Sequence, residues 1–123
     1  MGLAGMPSPG FEHIDEERCR SFRGSVELVG RKWTAGILLA GMRGARRFVE
    51  YRALVEGISD RLLAQRLREL EAEGLIVRTV VPTTPVLVRY RPSERAQGLM
   101  RALQPLIEWS IQDGPDADAR TTA

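Results

Sequence analysis

One cysteine, one histidine and one lysine are all that this 123-residue chain holds of those three residues. A single thiol, Cys19, excludes an internal disulfide and any cysteine-cluster metal site. The lone His13 has no partner of metal-binding or triad type near it in sequence, so it reads as an ordinary surface residue. No glycine-rich phosphate loop and no paired-carboxylate pattern is found, so the chain offers no catalytic constellation, and a protein that is not an enzyme and needs no cofactor is expected. No apolar run approaches the roughly 18 residues of a membrane span. Ile37–Ala40 is far too short. The N-terminus shows no basic segment followed by an apolar one, so no export signal is read, and cytoplasmic residence without a membrane partner is expected. The length suits one core.

Lys32 being the one lysine, the positive charge is almost wholly arginine. A formal charge of +2, from 18 basic and 16 acidic residues, understates how that charge is distributed. Basic residues well outnumber acidic ones between Arg18 and Arg91. The acids collect outside, at Glu12, Asp15, Glu16 and Glu17 and again at Asp113, Asp116 and Asp118. A basic centre with acidic ends fits a polyanion-binding body with solvated tails.

The most informative stretch is Ile58–Gly74. At about 100° per residue, Leu63, Leu67 and Leu70 fall on one side of a helix, with Leu62 at the edge and Ile58 just before its start. Arg61, Ala64, Gln65 and Arg68 fall opposite. A merely solvated face would alternate Glu and Lys, whereas Arg and Gln can make bidentate contacts to guanine and adenine in a DNA major groove. An ordinary amphipathic core helix has the same apolar stripe. The helix ends are marked too. Ser59 is placed to cap the first turn, Asp60 suits its positive end, and Gly74 followed by Leu75 fits a left-handed close.

Around it the chain reads as follows. Residues 1–12 are a tail without period. Gly24–Val29 is a short helix broken at Gly30. Arg31–Met42 is the next, with Trp33, Ile37, Leu38 and Ala40 inward and Thr34 near its start. Arg46-Arg47-Phe48 is extended, and Val49–Val55 is helical. Glu56-Gly57 is a turn, so this helix and Ile58–Gly74 have the spacing of a helix-turn-helix. Leu75–Val81 and Val86–Tyr90 are strands joined across Pro82–Pro85, a hairpin directly after the second helix. That order is a winged helix. Phosphate contacts are expected from Lys32, Thr34, Arg46 and Arg47, and wing contacts from Thr83 and Thr84 at the tip with Arg78 and Arg89 on the strands. A plain edge hairpin would pack on the core and touch nothing. Ser93 caps a last helix whose apolar band, Ala96 to Ile111, is wider than a small core can bury, which points to a partner surface. Pro105 should kink it near Arg101–Gln104. Residues 113–123 are a second tail, which leaves 13–112 as the folded body.

These residues, in this order, resemble the HxlR-type family of winged-helix transcriptional regulators. The resemblance rests on Cys19, Glu27–Thr34, Ile37–Leu39, Arg47-Phe48, Gly57–Ser59, Leu63–Glu71, Gly74–Ile76, Val81-Pro82 with Pro85, and Val88–Arg91. It covers roughly residues 19 to 112. It implies a mainly α fold with a small β-hairpin (α+β), a winged helix-turn-helix with extra N- and C-terminal dimerisation helices. It also implies a homodimer on double-stranded DNA, each second helix in a major groove of a near-palindromic operator. Carried onto this chain, it puts base contacts on Ser59, Arg61, Gln65 and Arg68. The dimer contacts fall on Phe22, Val26, Leu99, Leu103, Leu106, Ile107 and Trp109. Some members sense oxidants or electrophiles with the N-terminal cysteine, here Cys19, which is followed by Arg20 where many members have proline. A winged helix used only for protein docking is the alternative. A small-molecule effector is left open, since no polar cluster names one.

Overall fold

A computed structural model describes residues 5–116. They fall into two compact units that meet in sequence at Lys32 and Trp33.

The first unit holds α1, Glu16–Gly30. The helix is longer than the Gly24–Val29 segment expected. Its start is fixed by Asp15, whose carboxylate accepts from the Arg18 N–H at 2.8 Å, with Glu16 and Glu17 at the positive end of the helix. Gly24 sits inside the helix and does not break it, because a lone glycine costs a helix interior only about 1 kcal/mol. None of the α1 residues is buried within the chain.

The second unit opens on α2, Thr34–Met42, and α3, Phe48–Leu54. The expected start of α2 at Arg31 is three residues early. Trp33 takes a left-handed conformation, φ 81°, which no helix interior accepts. Its half-buried ring reaches toward the turn after α3, where a Cβ on Gly57 would stand 3.8 Å from the ring edge. α4 spans Asp60–Ala72. β1, Ile76–Val81, and β2, Leu87–Pro92, form an antiparallel hairpin in which Arg78 faces Tyr90 and Thr79 faces Arg89. α5 spans Glu94–Asp113 and runs on through Pro105, whose missing N–H leaves the Arg101 carbonyl without its helical donor.

The core is built from one stripe of each helix and the root of the hairpin. Ile37 and Leu38 of α2, Tyr51 of α3, Leu63, Leu67 and Leu70 of α4, and Ile76 of β1 are all within 2% of complete burial. Burying a Leu or Ile side chain stabilises by about 1.5–3 kcal/mol, so this cluster supplies the main driving force. Tyr51 brings a hydroxyl into it, and a buried hydroxyl needs a partner. It donates to the Tyr90 carbonyl at 2.9 Å, and the two rings meet edge to face at 6.3 Å. Burial pushes the Tyr51 phenol up to about 12, against which the Arg46 charge acts weakly. α2 comes close to this pair only because Gly41 has no side chain: a Cβ there would lie 2.6 Å from Pro92 and 2.9 Å from the Tyr51 hydroxyl.

Candidate nucleic-acid interface

α4 is held rigidly at both ends. Ser59 Oγ accepts from the Leu62 N–H at 3.1 Å. At the other end Gly74 is left-handed, φ 75°, and the Leu75 N–H reaches back to the Leu70 carbonyl at 2.9 Å while Gly74 N–H bonds Glu71 O. That is the Schellman close expected of Gly74-Leu75. The buried Leu63, Leu67 and Leu70 fix the helix's rotation, which leaves Arg61, Gln65 and Arg68 exposed and Ala64 half-buried. Among the described residues the side chains of Arg61 and Arg68 make no hydrogen bond or ion pair. Gln65 donates to Glu69 at 3.3 Å, and the same carboxylate pairs with Arg66 at 2.7 Å. Glu69 and Arg66 were not singled out in the sequence, although their three-residue spacing is that of an intrahelical ion pair. Arg52 and Asp60, 2.8 Å apart and both well exposed, link α3 to α4 across the turn. An exposed pair of this kind adds little stability.

The residues expected to meet phosphate divide. Arg47 and Lys32 are exposed. Thr34 is only 2% exposed, so the expectation that it contacts DNA is corrected: the first turn of α2 faces the core and its side chain does not reach the surface. Arg46 is exposed too, but its Nη1 donates to the carbonyls of Gly41 at 2.9 Å and Ala45 at 2.6 Å. Its guanidinium therefore closes the C-terminus of α2, and its carbonyl accepts from the Tyr90 N–H at 2.7 Å. The Glu50 carboxyl is held below its usual range by the backbone N–H groups of Arg47 and Arg46 at its Oε1. It thereby fixes the entry into α3.

The hairpin also separates two residues that were grouped. Side chains alternate across a strand. With Arg78 opposite Tyr90 and Thr79 opposite Arg89, Arg78 shares a face with Ile76, Tyr90 and Pro92, whereas Arg89 lies on the other face with Arg91. Thr83 and Thr84 are exposed at the tip, and Thr83 Oγ1 donates to the Pro85 carbonyl at 2.8 Å, which shapes the turn. The Thr84–Pro85 peptide is cis.

Two further surfaces are apolar. On α5, Leu99 and Leu103 are half-buried, and Leu106, Ile107, Trp109 and Ile111 are exposed. Separately, in the first unit, Phe22 and Val26 of α1 are exposed, and Cys19 is half-buried beside a pocket of 460 Å³ lined by Phe11, Ile14, Arg18, Phe22 and Arg23.

A helix-turn-helix whose second helix buries its leucines and bares Arg61, Gln65 and Arg68, followed at once by a hairpin, defines a winged-helix DNA-binding protein. The chain belongs to the HxlR-like helix-turn-helix family, whose model matches residues 28–117. It is 33% identical over 96 residues to the HTH-type transcriptional regulator YvaP of Bacillus subtilis, covering 78% of this chain and 89% of that one. Its fold is similar to the reduced form of the transcriptional regulator YodB from B. subtilis, with a TM-score of 0.66 and 31% identity over 89% of this chain and 97% of that one. It is also similar to the redox regulator HypR in its reduced form, with a TM-score of 0.71 and 27% identity over 80% and 98%. The protein is a DNA-binding transcriptional regulator. No helix among the described residues is long and apolar enough to cross a membrane.

Proposed function

We propose that the protein binds a near-palindromic operator as a homodimer and controls access to a promoter sterically. One observation carries the base-reading part. α4 is locked at both ends and along its buried stripe, yet Arg61 and Gln65 remain exposed on its outer face. Arg61 suits guanine and Gln65 suits adenine, while Arg47, Lys32 and the wing tip at Thr83 and Thr84 set position on the backbone. Ser59 acts mainly as the helix cap, with its O–H left to donate. To meet a base, Gln65 exchanges its bond to Glu69 for one to DNA. The dimer is supported by apolar surface that the chain itself leaves uncovered, at Leu106, Ile107 and Trp109 on α5 and at Phe22 and Val26 on α1.

Selection from a random DNA pool with the purified protein tests this. An enriched inverted repeat with half-sites about one helical turn apart, roughly 34–36 Å, is the expected result. Salt-sensitive retention without an enriched sequence would remove the base-reading assignment. Retention of no DNA at low salt would favour docking to another protein instead. Sedimentation at micromolar concentration checks the dimer.

A thiol response is a second part of the proposal, favoured by the apolar pocket beside Cys19. With one cysteine per chain, disulfide formation gives only a bridge between chains or a mixed disulfide. Diamide should change operator affinity in the wild type and not in Cys19→Ser. Equal responses in both proteins would dismiss it.

A further inference from the structure

Between α4 and the hairpin lies a pocket of 320 Å³ lined by Ala64, Arg68, Glu71, Arg78 and Tyr90. Its composition follows from two periodicities. Residues 64, 68 and 71 are spaced four and three apart, so they form one stripe of α4. Arg78 and Tyr90 are directly opposed in the hairpin, so they share the face turned to that stripe. One wall therefore carries the Arg68 guanidinium and the other carries that of Arg78.

Neither guanidinium makes a hydrogen bond or ion pair among the described residues. Glu71 lines the same pocket and forms no ion pair with either of them. Two guanidinium groups facing one concavity against a single carboxylate that pairs with neither leave an excess of positive charge there, which an anion would balance. The back wall is already rigid. Tyr90 is fixed by its N–H to Arg46 O at 2.7 Å, by its carbonyl to the Tyr51 hydroxyl at 2.9 Å, and by its ring against Tyr51. Ala64 has too little side chain to fill the space.

We infer that this cleft is a seat for one DNA backbone phosphate, gripped by Arg68 from the helix and by Arg78 from the strand. The position fits. A helix in the major groove and a wing at the neighbouring minor groove have a single sugar-phosphate strand running between them, because that strand is the wall separating the two grooves. The phosphate that passes there meets two planar guanidinium forks, the group best matched to its oxygens. Arg68 is then a positioning residue and not a base reader. Arg78 does work that Arg89, on the opposite face of the hairpin, does not share. The inference rests on the placement of α4 in the major groove, and not on base reading by Arg61 and Gln65.

The test is binding of the full chain to the selected operator and to a random duplex over a range of salt concentrations. Arg68→Ala and Arg78→Ala should each weaken both DNAs by the same factor and flatten the log affinity against log salt slope by up to about one unit. The double variant should flatten it by about one unit and not two, since one phosphate is lost once. Arg68→Lys should keep most of the slope while lowering affinity, and Arg89→Ala should leave the slope unchanged. Glu71→Gln should tighten both DNAs several-fold by removing a carboxylate from the path of a phosphate. Matched thermal unfolding of the variants excludes loss of fold. Loss confined to the operator in Arg68→Ala, slopes that add to two units, or weaker operator binding in Glu71→Gln would each overturn the seat. If the wild type selects no operator, base reading fails, and the slopes on random DNA still decide the seat.

Discussion

Replacing Gly41 with alanine tests the packing that holds the wing in place. The new Cβ would stand 2.6 and 2.9 Å from two ring carbons of Pro92 and 2.9 Å from the Tyr51 hydroxyl. None of these can step aside cheaply. Pro92 is a closed ring at the end of β2, and the hydroxyl is committed to Tyr90 O. Overpacking of this kind costs about 1–3 kcal/mol. Breaking the Tyr51–Tyr90 hydrogen bond adds about 1 kcal/mol. Alanine returns about 1 kcal/mol through its better helix propensity. The net loss is therefore about 1–3 kcal/mol. At roughly 4–8 °C per kcal/mol for a unit of this size, the melting temperature should fall by roughly 5–20 °C. Thermal and urea unfolding followed by far-ultraviolet dichroism measure it. In a Tyr51→Phe background one of the three collisions is gone, so the same substitution should cost less. A Gly41→Ala protein as stable as the wild type would refute the reasoning, since α2 would then have room that the structure denies it.

Three other outcomes follow from the same geometry. Ser59→Ala removes the acceptor for the Leu62 N–H and should cost about 1 kcal/mol, read from the urea midpoint at unchanged slope. Gln65→Ala should lower discrimination between operator and random DNA by about 1–3 kcal/mol, and an equal loss on both would show that Gln65 reads nothing. Tyr51 links stability to alkaline pH. Its folded pKa, about 12, lies above the ordinary 10.0, so its contribution is complete below pH 10 and is lost as pH rises toward 12. Unfolding followed across that window should show a steeper loss in the wild type than in Tyr51→Phe.

α4 was legible in the sequence because every local signal agreed: an apolar stripe, Ser59 at one end, Gly74-Leu75 at the other. The hairpin and α5 were legible for similar reasons. α1 was not read beyond Gly24–Val29, because Gly24 and the charged run before it masked the stripe through Cys19, Phe22 and Val26, and Asp15 was not recognised as its cap. Thr34 and Arg46 show a different limit. Each has a residue type suited to phosphate, but burial for one and two backbone carbonyls for the other are set by tertiary packing. The separation of Arg78 from Arg89 depends on strand register. Had the pairing slipped by one residue, the two would share a face, and the turn at Pro82–Val86 does not announce its register in composition.

Ser93 ties off the stretch that begins at Gly74. Its N–H bonds Leu75 O at 3.0 Å, its hydroxyl donates to Gly74 O at 2.7 Å, and the same oxygen caps α5 by accepting from the Ala96 N–H. Arg95 adds a bond to Glu73 O. The end of α4 and the start of α5 are thus fastened to each other, and the hairpin hangs from that knot as a closed loop. A loop closed at its root can change length at its tip without disturbing what it is anchored to. The wing is in that sense an exchangeable cassette. Residues inserted or removed around Thr83 and Thr84 would alter how far the protein reaches along DNA while both helices keep their places.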